Sequence, residues 1–438
     1  MKLCIGLLCL LVGACSQARP GIPPRHLLLV TVEALRADAS SAYSSMRPTT
    51  SFASTELERR EGRALGIDNL AASGVLFRVC MSPSARTEPA LASLFTGLSP
   101  QSAGLLDGGT QIRGDAPTLA ELFADSGFRT AAFVTVGATD LKASVGRGFE
   151  SFLAGADDAA TLWSASEWLK RDPGDGSRRF TWIHLAGAVP PFELGSDTAG
   201  VESLLGERDF GPMLSVDECR AWARGALTLA DDGLRTRAAN TYARAVARTS
   251  IALTLCLQSA YDYTQSNGDV SETWARTALI FTAPSGLLLG ESDIEVTAET
   301  THEKALHVPL VLRHPDSMTG ERVSGAVVEL QDLLPTCVAW FDLATPRHVA
   351  GRSLLALLDT YIDQPFDHRP AVSVARDGVV SVRDTRYHLI LDAKDPAHGV
   401  RLYEPERDPT ERENLSSRYP DVVRRLARAA ADAVHSPP

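Results

Sequence analysis

Basic residues are in short supply: 43 Lys and Arg stand against 54 Asp and Glu, for a formal net charge of −11. Phosphate backbones are bound by positive surfaces, so this balance argues against nucleic acid as the partner. Cysteine is scarce too. Four lie in the body of the chain, Cys80, Cys219, Cys256 and Cys337, so widely dispersed that they form neither a zinc pattern nor a disulfide framework. Cys256 and Cys337 sit in apolar stretches and read as small buried hydrophobes. Beyond the N-terminus no apolar run reaches the roughly 18 residues that a membrane-spanning helix needs. Internal repeats are lacking. What remains, 44% hydrophobic and 22% charged residues over 438 positions, is the composition of a globular protein long enough to bury a large core.

The N-terminus has its own character. Lys2 precedes a short apolar run from Leu3 to Val12, then Gly13, Ala14 and Cys15, the layout of an export signal with small residues before the cut. Val12-Gly13-Ala14-Cys15 resembles a bacterial lipobox. That resemblance implies a signal peptide over 1–15, lipidation at Cys15 and a membrane partner reached through the lipid. A tether follows over 16–24, and Ser16 points to the outer membrane or periplasm of a bacterial envelope.

Downstream, His26 to Val32 reads as a fully buried strand, an unbroken apolar run after a Pro-rich entry. Thr118 and Glu121 form a capping box that opens a helix, Gly127 ends it, and Ala131 to Val136 is the next strand. Further strands run over Phe180 to Leu185 and Thr277 to Thr282, with a long helical pattern from Ala238 to Gln265 between them. Alternating strands and helices predict a doubly wound α/β fold: a mostly parallel sheet flanked by helices over 25–368, with an aperiodic insertion at 195–235. From 369 to 438 the pattern changes to short alternating strands, Ala371 to Ala375, Val379 to Arg383 and Tyr387 to Leu391. A helix from Tyr419 to Ala433 should pack on them through Val422, Val423, Leu426 and Ala430, giving a small C-terminal α+β unit.

Thr31-Val32-Glu33-Ala34-Leu35-Arg36-Ala37-Asp38 resembles the opening of sulfatases and related members of the alkaline-phosphatase superfamily. So do Ile67 to Phe77, Thr87-Glu88-Pro89 through Thr96-Gly97, Arg147-Gly148-Phe149, Leu306 to Leu310, Gly351-Arg352-Ser353-Leu354, and Leu402-Tyr403-Glu404 with Asp408-Pro409. Their order and spacing cover nearly the whole chain after the tether. The resemblance implies an acidic metal ligand at the end of the first strand, where Glu33 stands in place of the usual aspartate, and a nucleophile at Thr87. Cys80 is a decoy. The resemblance puts the modified cysteine nine positions before the threonine of the closing Thr-Gly; Thr87 lies nine before Thr96, Cys80 sixteen.

Ester hydrolysis needs an anionic nucleophile and positive charge to balance the oxygens in transit. Where the resemblance implies further metal ligands, the chain has Ala283-Pro284-Ser285-Gly286, Ala186-Gly187-Ala188-Val189 and Val296 to Glu299. Hard cations want six or more oxygen ligands, so Glu33 alone holds none. These losses predict no resident cofactor, or a divalent metal, calcium or magnesium, if the chain is active with ligands drawn from Glu88, Asp293, Glu295, Glu299 and His302. Three readings stand. One is a catalytically degenerate envelope lipoprotein that binds a sulfated or phosphorylated small molecule or glycan. The second is a divergent metal-dependent sulfate or phosphate ester hydrolase with Thr87 as nucleophile. The third is an envelope scaffold. Thr87 is equally an N-cap candidate, Arg36 and Asp38 read as a local pair, and His184 and His307 as satisfied core histidines.

Overall fold

The computed structural model describes residues 24–43, 67–106, 109–135, 141–171, 176–192, 205, 209–266, 274, 276–291, 300–315, 322–358, 366, 368–392, 394–395 and 399–435. Cys15 and the rest of 1–23 lie outside them. The described strands are β1 His26–Val32, β2 Val75–Met81, β3 Arg129–Thr135, β4 Ser151–Gly155, β5 Arg179–Leu185, β6 Thr277–Thr282, β7 His307–Val308, β8 Leu310–Arg313, β9 Arg322–Glu329, β10 Ala371–Val374, β11 Val380–Arg383, β12 His388–Leu391 and β13 Val400–Tyr403. The helices that matter below are α1 Thr87–Thr96, α2 Leu119–Asp125, α3 Asp158–Lys170, α4 Val216–Ala223, α5 Asp232–Ser266, α6 Leu333–Phe341 and α7 Pro420–His435.

Nine strands form the main sheet in the order β4-β3-β5-β1-β6-β8-β2-β7, with β9 paired to β2. All run parallel except β7 and β8. A mostly parallel sheet must be covered on both faces, which is why β1 reads as a continuous apolar run. Leu27, Leu28, Leu29 and Val30 are all buried. Because β1 lies between β5 and β6, its carboxyl end opens in the middle of the sheet edge, where α/β sheets place their sites.

The Arg147-Gly148-Phe149 turn earns its place by packing. The predicted capping box is present: Thr118 Oγ1 accepts from Glu121 N, and Glu121 returns the bond to Thr118 N. Thr118 Oγ1 also donates to Arg147 O, and Thr130 Oγ1 to Gly148 O at 2.7 Å. Gly148 has φ +88, and a Cβ there would lie 2.2 Å from the Glu121 backbone nitrogen.

The C-terminal antiparallel sheet runs β10-β11-β12-β13. It has its own small core, in which Val382, Leu389 and Leu402 meet Leu426 and Ala430 of α7, with Val422 and Val423 packed at its margin. It docks on the main sheet through β10: Val374 N donates to Pro83 O, and Ser373 Oγ to Ser82 O.

Three features differ from the sequence reading. The 195–235 stretch is not aperiodic where described: α4 opens on a Ser215/Glu218 capping box and buries Cys219 and Trp222. Two antiparallel strands, β7 and β8, enter the main sheet, and a fourth strand, β13, completes the small one. All four body cysteines are free and buried, including Cys256 and Cys337 in their apolar stretches.

Gly148→Ala combines a left-handed backbone with a backbone clash, so it should lower unfolding free energy by about 3 kcal/mol, more than the ordinary cost of either effect alone. The urea midpoint of the purified variant checks this; an unchanged midpoint would mean the turn is not held as described.

Candidate functional site

The site is built on the end of β1. Glu33 N donates to Leu185 O at 2.8 Å, the last rung shared with β5. The chain then turns sharply: Ala34 sits at φ +58, a left-handed conformation that costs an L-residue about 1–2 kcal/mol. Tyr242 of α5 holds the turn, its hydroxyl donating to Ala34 O at 2.8 Å and accepting from Arg36 N at 3.0 Å. The turn leaves the Glu33 carboxylate facing the start of α1.

Thr87 is the first residue of α1, not its cap. Arg86 holds the cap position and contributes no side-chain bond to it. The Thr87 hydroxyl is therefore not spent on the helix, and donates to Glu33 Oε1 at 2.7 Å. On the other side, His184 Nε2 lies 3.5 Å from Glu33 Oε2, beyond good hydrogen-bond geometry but facing that oxygen. The opposite ring edge is fixed. His184 Nδ1 is 2.9 Å from Thr31 Oγ1, which already accepts from Trp182 Nε1 at 2.9 Å. With the indole as a pure donor, we assign the Thr31 proton to Nδ1 and the imidazole proton to Nε2, facing Glu33.

Burial alone would raise the Glu33 pKa. The neighbouring His184, and then the Thr87 bond, outweigh it and hold the carboxyl below its ordinary range, so it is ionised at neutral pH. Asp158, the first residue of α3, goes the other way. Burial pushes it above the ordinary range although Thr135 Oγ1 (2.7 Å) and Ala186 N (2.9 Å) donate to it. Gly187 makes room for this packing: a Cβ there would stand 2.1 Å from Thr249 Oγ1 and 2.5 Å from Asp158 Oδ2. Asp158 was not singled out from the sequence, although Asp157-Asp158 before a helical apolar pattern is an N-terminal signal; Asp157 is the cap.

Two strand ends supply no ligand. Ala283 after β6 is fully buried, and the Pro284 carbonyl accepts from Ser82 Oγ at 2.6 Å. Among the described residues, no three His, Cys, Asp or Glu donors converge at Glu33. Of the other ligand candidates, Glu88 lies in the first turn of α1, Asp293, Glu295 and Glu299 lie outside the described residues, and His302 belongs elsewhere. Arg36 is buried and bonded to Asp38, with Glu291 as a second partner, while Lys304 Nζ meets Asp38 at 2.6 Å. His307 Nε2 is satisfied by Arg78 O at 2.8 Å. Cys80 is buried in β2, and burial, with Asp332 and Glu329 nearby, raises its thiol pKa well above normal, which fits an inert thiol.

A second cluster joins the C-terminal sheet to the main one. Glu303, His388 and Glu411 are buried with ligand atoms within 4.8 Å of one another and could hold a metal ion. Their imidazole and carboxylates suit zinc or manganese better than calcium or magnesium. The charges are also met internally. Glu411, at φ +53, aims one oxygen at His302 Nδ1 (2.6 Å) and the other at His388 Nδ1 (2.5 Å). Arg383 Nε lies 3.1 Å from Glu303 Oε2. Burial works against the Glu411 charge, but His388 and His302 hold its pKa far below the ordinary value. A depressed folded-state pKa stabilises the fold above the unfolded pKa of about 4.3, and that contribution is lost as pH falls through the lower folded value. Glu411→Gln should therefore cost on the order of 3 kcal/mol at pH 7 and flatten the loss of melting temperature below about pH 4. Calorimetry of both forms across that range tests it; parallel acid profiles would contradict the assignment.

The comparisons with known proteins agree with this architecture. The model of the family described as Sulfatase matches residues 25–343. Arylsulfatase K of Xenopus laevis is 24% identical over 175 residues, 37% of this chain and 32% of that protein. The multifunctional alkaline phosphatase superfamily protein PehA of Trinickia caryophylli is 25% identical over 199 residues, 40% and 37% of the respective chains. The chain thus spans about a third of the length of the curated relatives it matches. Among solved structures, the phosphonate monoester hydrolase of Agrobacterium radiobacter superposes with a TM-score of 0.69 at 17% identity, covering 94% of this chain and 95% of that one. A protein solved with its substrate D-glucosamine-2-N,6-O-disulfate gives 0.66 at 16% identity, covering 94% and 97%. With the family model matching well over half of its length, the chain belongs to the sulfatase family, within the alkaline-phosphatase superfamily.

Proposed function

We propose that the chain is a divergent hydrolase of sulfate or phosphate esters in which Thr87 is the nucleophile and Glu33 its general base. The observation that carries this is the 2.7 Å bond from the Thr87 hydroxyl to an ionised, one-fifth-exposed carboxylate at a central strand end. Nucleophile and base stand within bonding reach, and His184 orients the base in turn. The start of α1, which has no side-chain cap, supports an anionic substrate at Thr87, because the helix dipole favours negative charge there.

In the first step Glu33 takes the Thr87 proton as Oγ attacks sulfur or phosphorus, and the bond to the leaving alcohol oxygen breaks. An aryloxide leaves without needing a proton. Water then attacks the sulfuryl or phosphoryl group on Thr87, Thr87 leaves with the proton returned by Glu33, and the proton of the water goes to solvent. A carboxylate held below its ordinary range is a weak base, so turnover is slow. Among the described residues nothing completes a calcium or magnesium site beside Glu33: Ala283 and Pro284 offer no side-chain ligand, and the carboxylate oxygens face Thr87 and His184. Lipidation at Cys15 would hold the protein in a bacterial envelope, in keeping with the absence of any membrane-spanning helix among the described residues.

A second reading, a binding protein with a lost catalytic site, is favoured by the same Ala283 and Pro284. It keeps the strand-end site for binding a sulfated or phosphorylated small molecule or glycan and assigns Thr87 no turnover.

Kinetics on p-nitrophenyl sulfate and p-nitrophenyl phosphate separate the two. The hydrolase reading expects Thr87→Ala to lower kcat/KM at least about 10³-fold and Glu33→Gln by about 10²- to 10⁴-fold. Since Glu33 must be ionised and its pKa is depressed, the acid limb should lie below the ordinary glutamate value of about 4.3. Equal rates in wild type and Thr87→Ala would leave the binding reading.

A further inference from the structure

The buried cluster at the junction with the C-terminal sheet is assembled from three separate pieces of chain. His302 stands at the N-cap of the short helix Glu303–Leu306 and Glu303 opens it, His388 starts β12, and Glu411 lies between β13 and α7. All four side chains belong to residues at most 5% exposed. Two come from the main domain and two from the C-terminal unit.

Their contacts have the layout of a metal shell. His388 Nδ1 is 2.5 Å from Glu411 Oε1 and 3.8 Å from Glu303 Oε2. Zinc bonds of about 2.0–2.1 Å in tetrahedral geometry set neighbouring donor atoms roughly 3.3 Å apart, so these separations bracket what the ion requires. His302 makes no side-chain bond to the helix it precedes; its Nδ1 is 2.6 Å from the second Glu411 oxygen, placed to supply a fourth donor. Behind the donors stand groups that hold them. Glu303 N donates to Glu411 Oε2 at 3.1 Å, and Arg383 Nε lies 3.2 and 3.1 Å from the two Glu303 oxygens. Ligating carboxylates are fixed by such outer partners.

The side-chain contacts leave one group unmet. Two carboxylates face one guanidinium, so among the described residues of the cluster the second balancing charge falls to an imidazole. Yet Nε2 of both His302 and His388 is buried with no partner. An imidazolium in either place carries a cationic N–H that has lost water and found no acceptor. A divalent ion on the Nδ1 side supplies the charge and leaves the ring neutral.

We propose that His302, Glu303, His388 and Glu411 form a structural zinc site that locks the C-terminal unit onto the main domain. Two imidazoles and two carboxylates with no exposed side suit a four-coordinate ion. Calcium and magnesium want more oxygen ligands than the cluster offers. Because the site is closed, the ion is taken up as the two parts of the chain come together, and its binding free energy adds to the stability of that junction. None of the groups assigned to the Thr87 reaction takes part.

The test is the zinc content and melting temperature of the purified full chain after dialysis, first against zinc sulfate and then against metal-free buffer. Elemental analysis should find about one equivalent of zinc, the stoichiometry of a single closed site. Calcium and magnesium should not displace it, and a strong chelator should lower the melting temperature by several degrees. His388→Asn should weaken zinc by at least about 100-fold, beyond the usual effect of losing an outer partner. Thr87→Ala and Glu33→Gln should bind zinc as wild type does. Should the buried variant fail to fold, the cobalt form of the wild type gives a second readout, in which the strong visible absorption of a four-coordinate ion is expected. The proposal is overturned if wild type holds no zinc, if chelation leaves the melting temperature unchanged, if His388→Asn binds as wild type does, if Glu33→Gln abolishes binding, or if the cobalt form shows the weak spectrum of a six-coordinate ion.

Discussion

The geometry of the candidate site depends on how one strand ends. β1 is buried between β5 and β6, so its final rung, Glu33 N to Leu185 O, fixes the backbone before the chain leaves the sheet. The left-handed turn at Ala34 would relax if it were free, but the Tyr242 hydroxyl holds both its sides from a helix packed over the sheet. Strain at one residue is thereby exchanged for a carboxylate aimed at Thr87. The neighbouring strand supplies the orientation of His184, through a Trp182–Thr31–His184 chain that crosses from β5 to β1 and back.

Two buried acidic clusters show different ways of keeping a carboxylate ionised. Glu411 sits between two imidazoles, with Arg383 on the adjoining Glu303, and the arrangement links β11 and β12 to the short helix Glu303–Leu306. It ties the C-terminal unit to the main domain alongside the β10 contacts, such as Ser373 Oγ to Ser82 O, which gives it structural weight irrespective of any ion it could hold. Glu33 has only one imidazole and one hydroxyl, and a fifth of its side chain reaches solvent. That difference in access, more than any difference in charge, marks Glu33 as the carboxylate placed for chemistry.

Much of the fold was legible because burial leaves a mark on local composition. β1 and β6 have the bounds their apolar runs imply, β5 starts one residue earlier, and the Thr118/Glu121 capping box formed as read. Elements defined by their partners were not legible. β7 is two residues long and exists through pairing with β2; β13 has four residues and is paired by β12. The site divides the same way. Glu33 and Thr87 could be named from motif position, but their bond spans 54 residues and only the fold brings them together. Asp158 and the Glu303, His388 and Glu411 group were missed because their meaning lies in burial and in contacts between separate elements, from Thr135 Oγ1 to Asp158 across 23 residues to Glu303 N to Glu411 Oε2 across 108.

The central claim is that Thr87 attacks and Glu33 removes its proton. Its most direct test is mass spectrometry of the intact chain and its peptides after quenching a reaction with p-nitrophenyl sulfate or p-nitrophenyl phosphate. The account predicts a sulfuryl or phosphoryl group on Thr87, absent from Thr87→Ala and strongly reduced in Glu33→Gln. Release of p-nitrophenol with Thr87 unmodified, or modification that survives in Glu33→Gln at the wild-type rate, would contradict it.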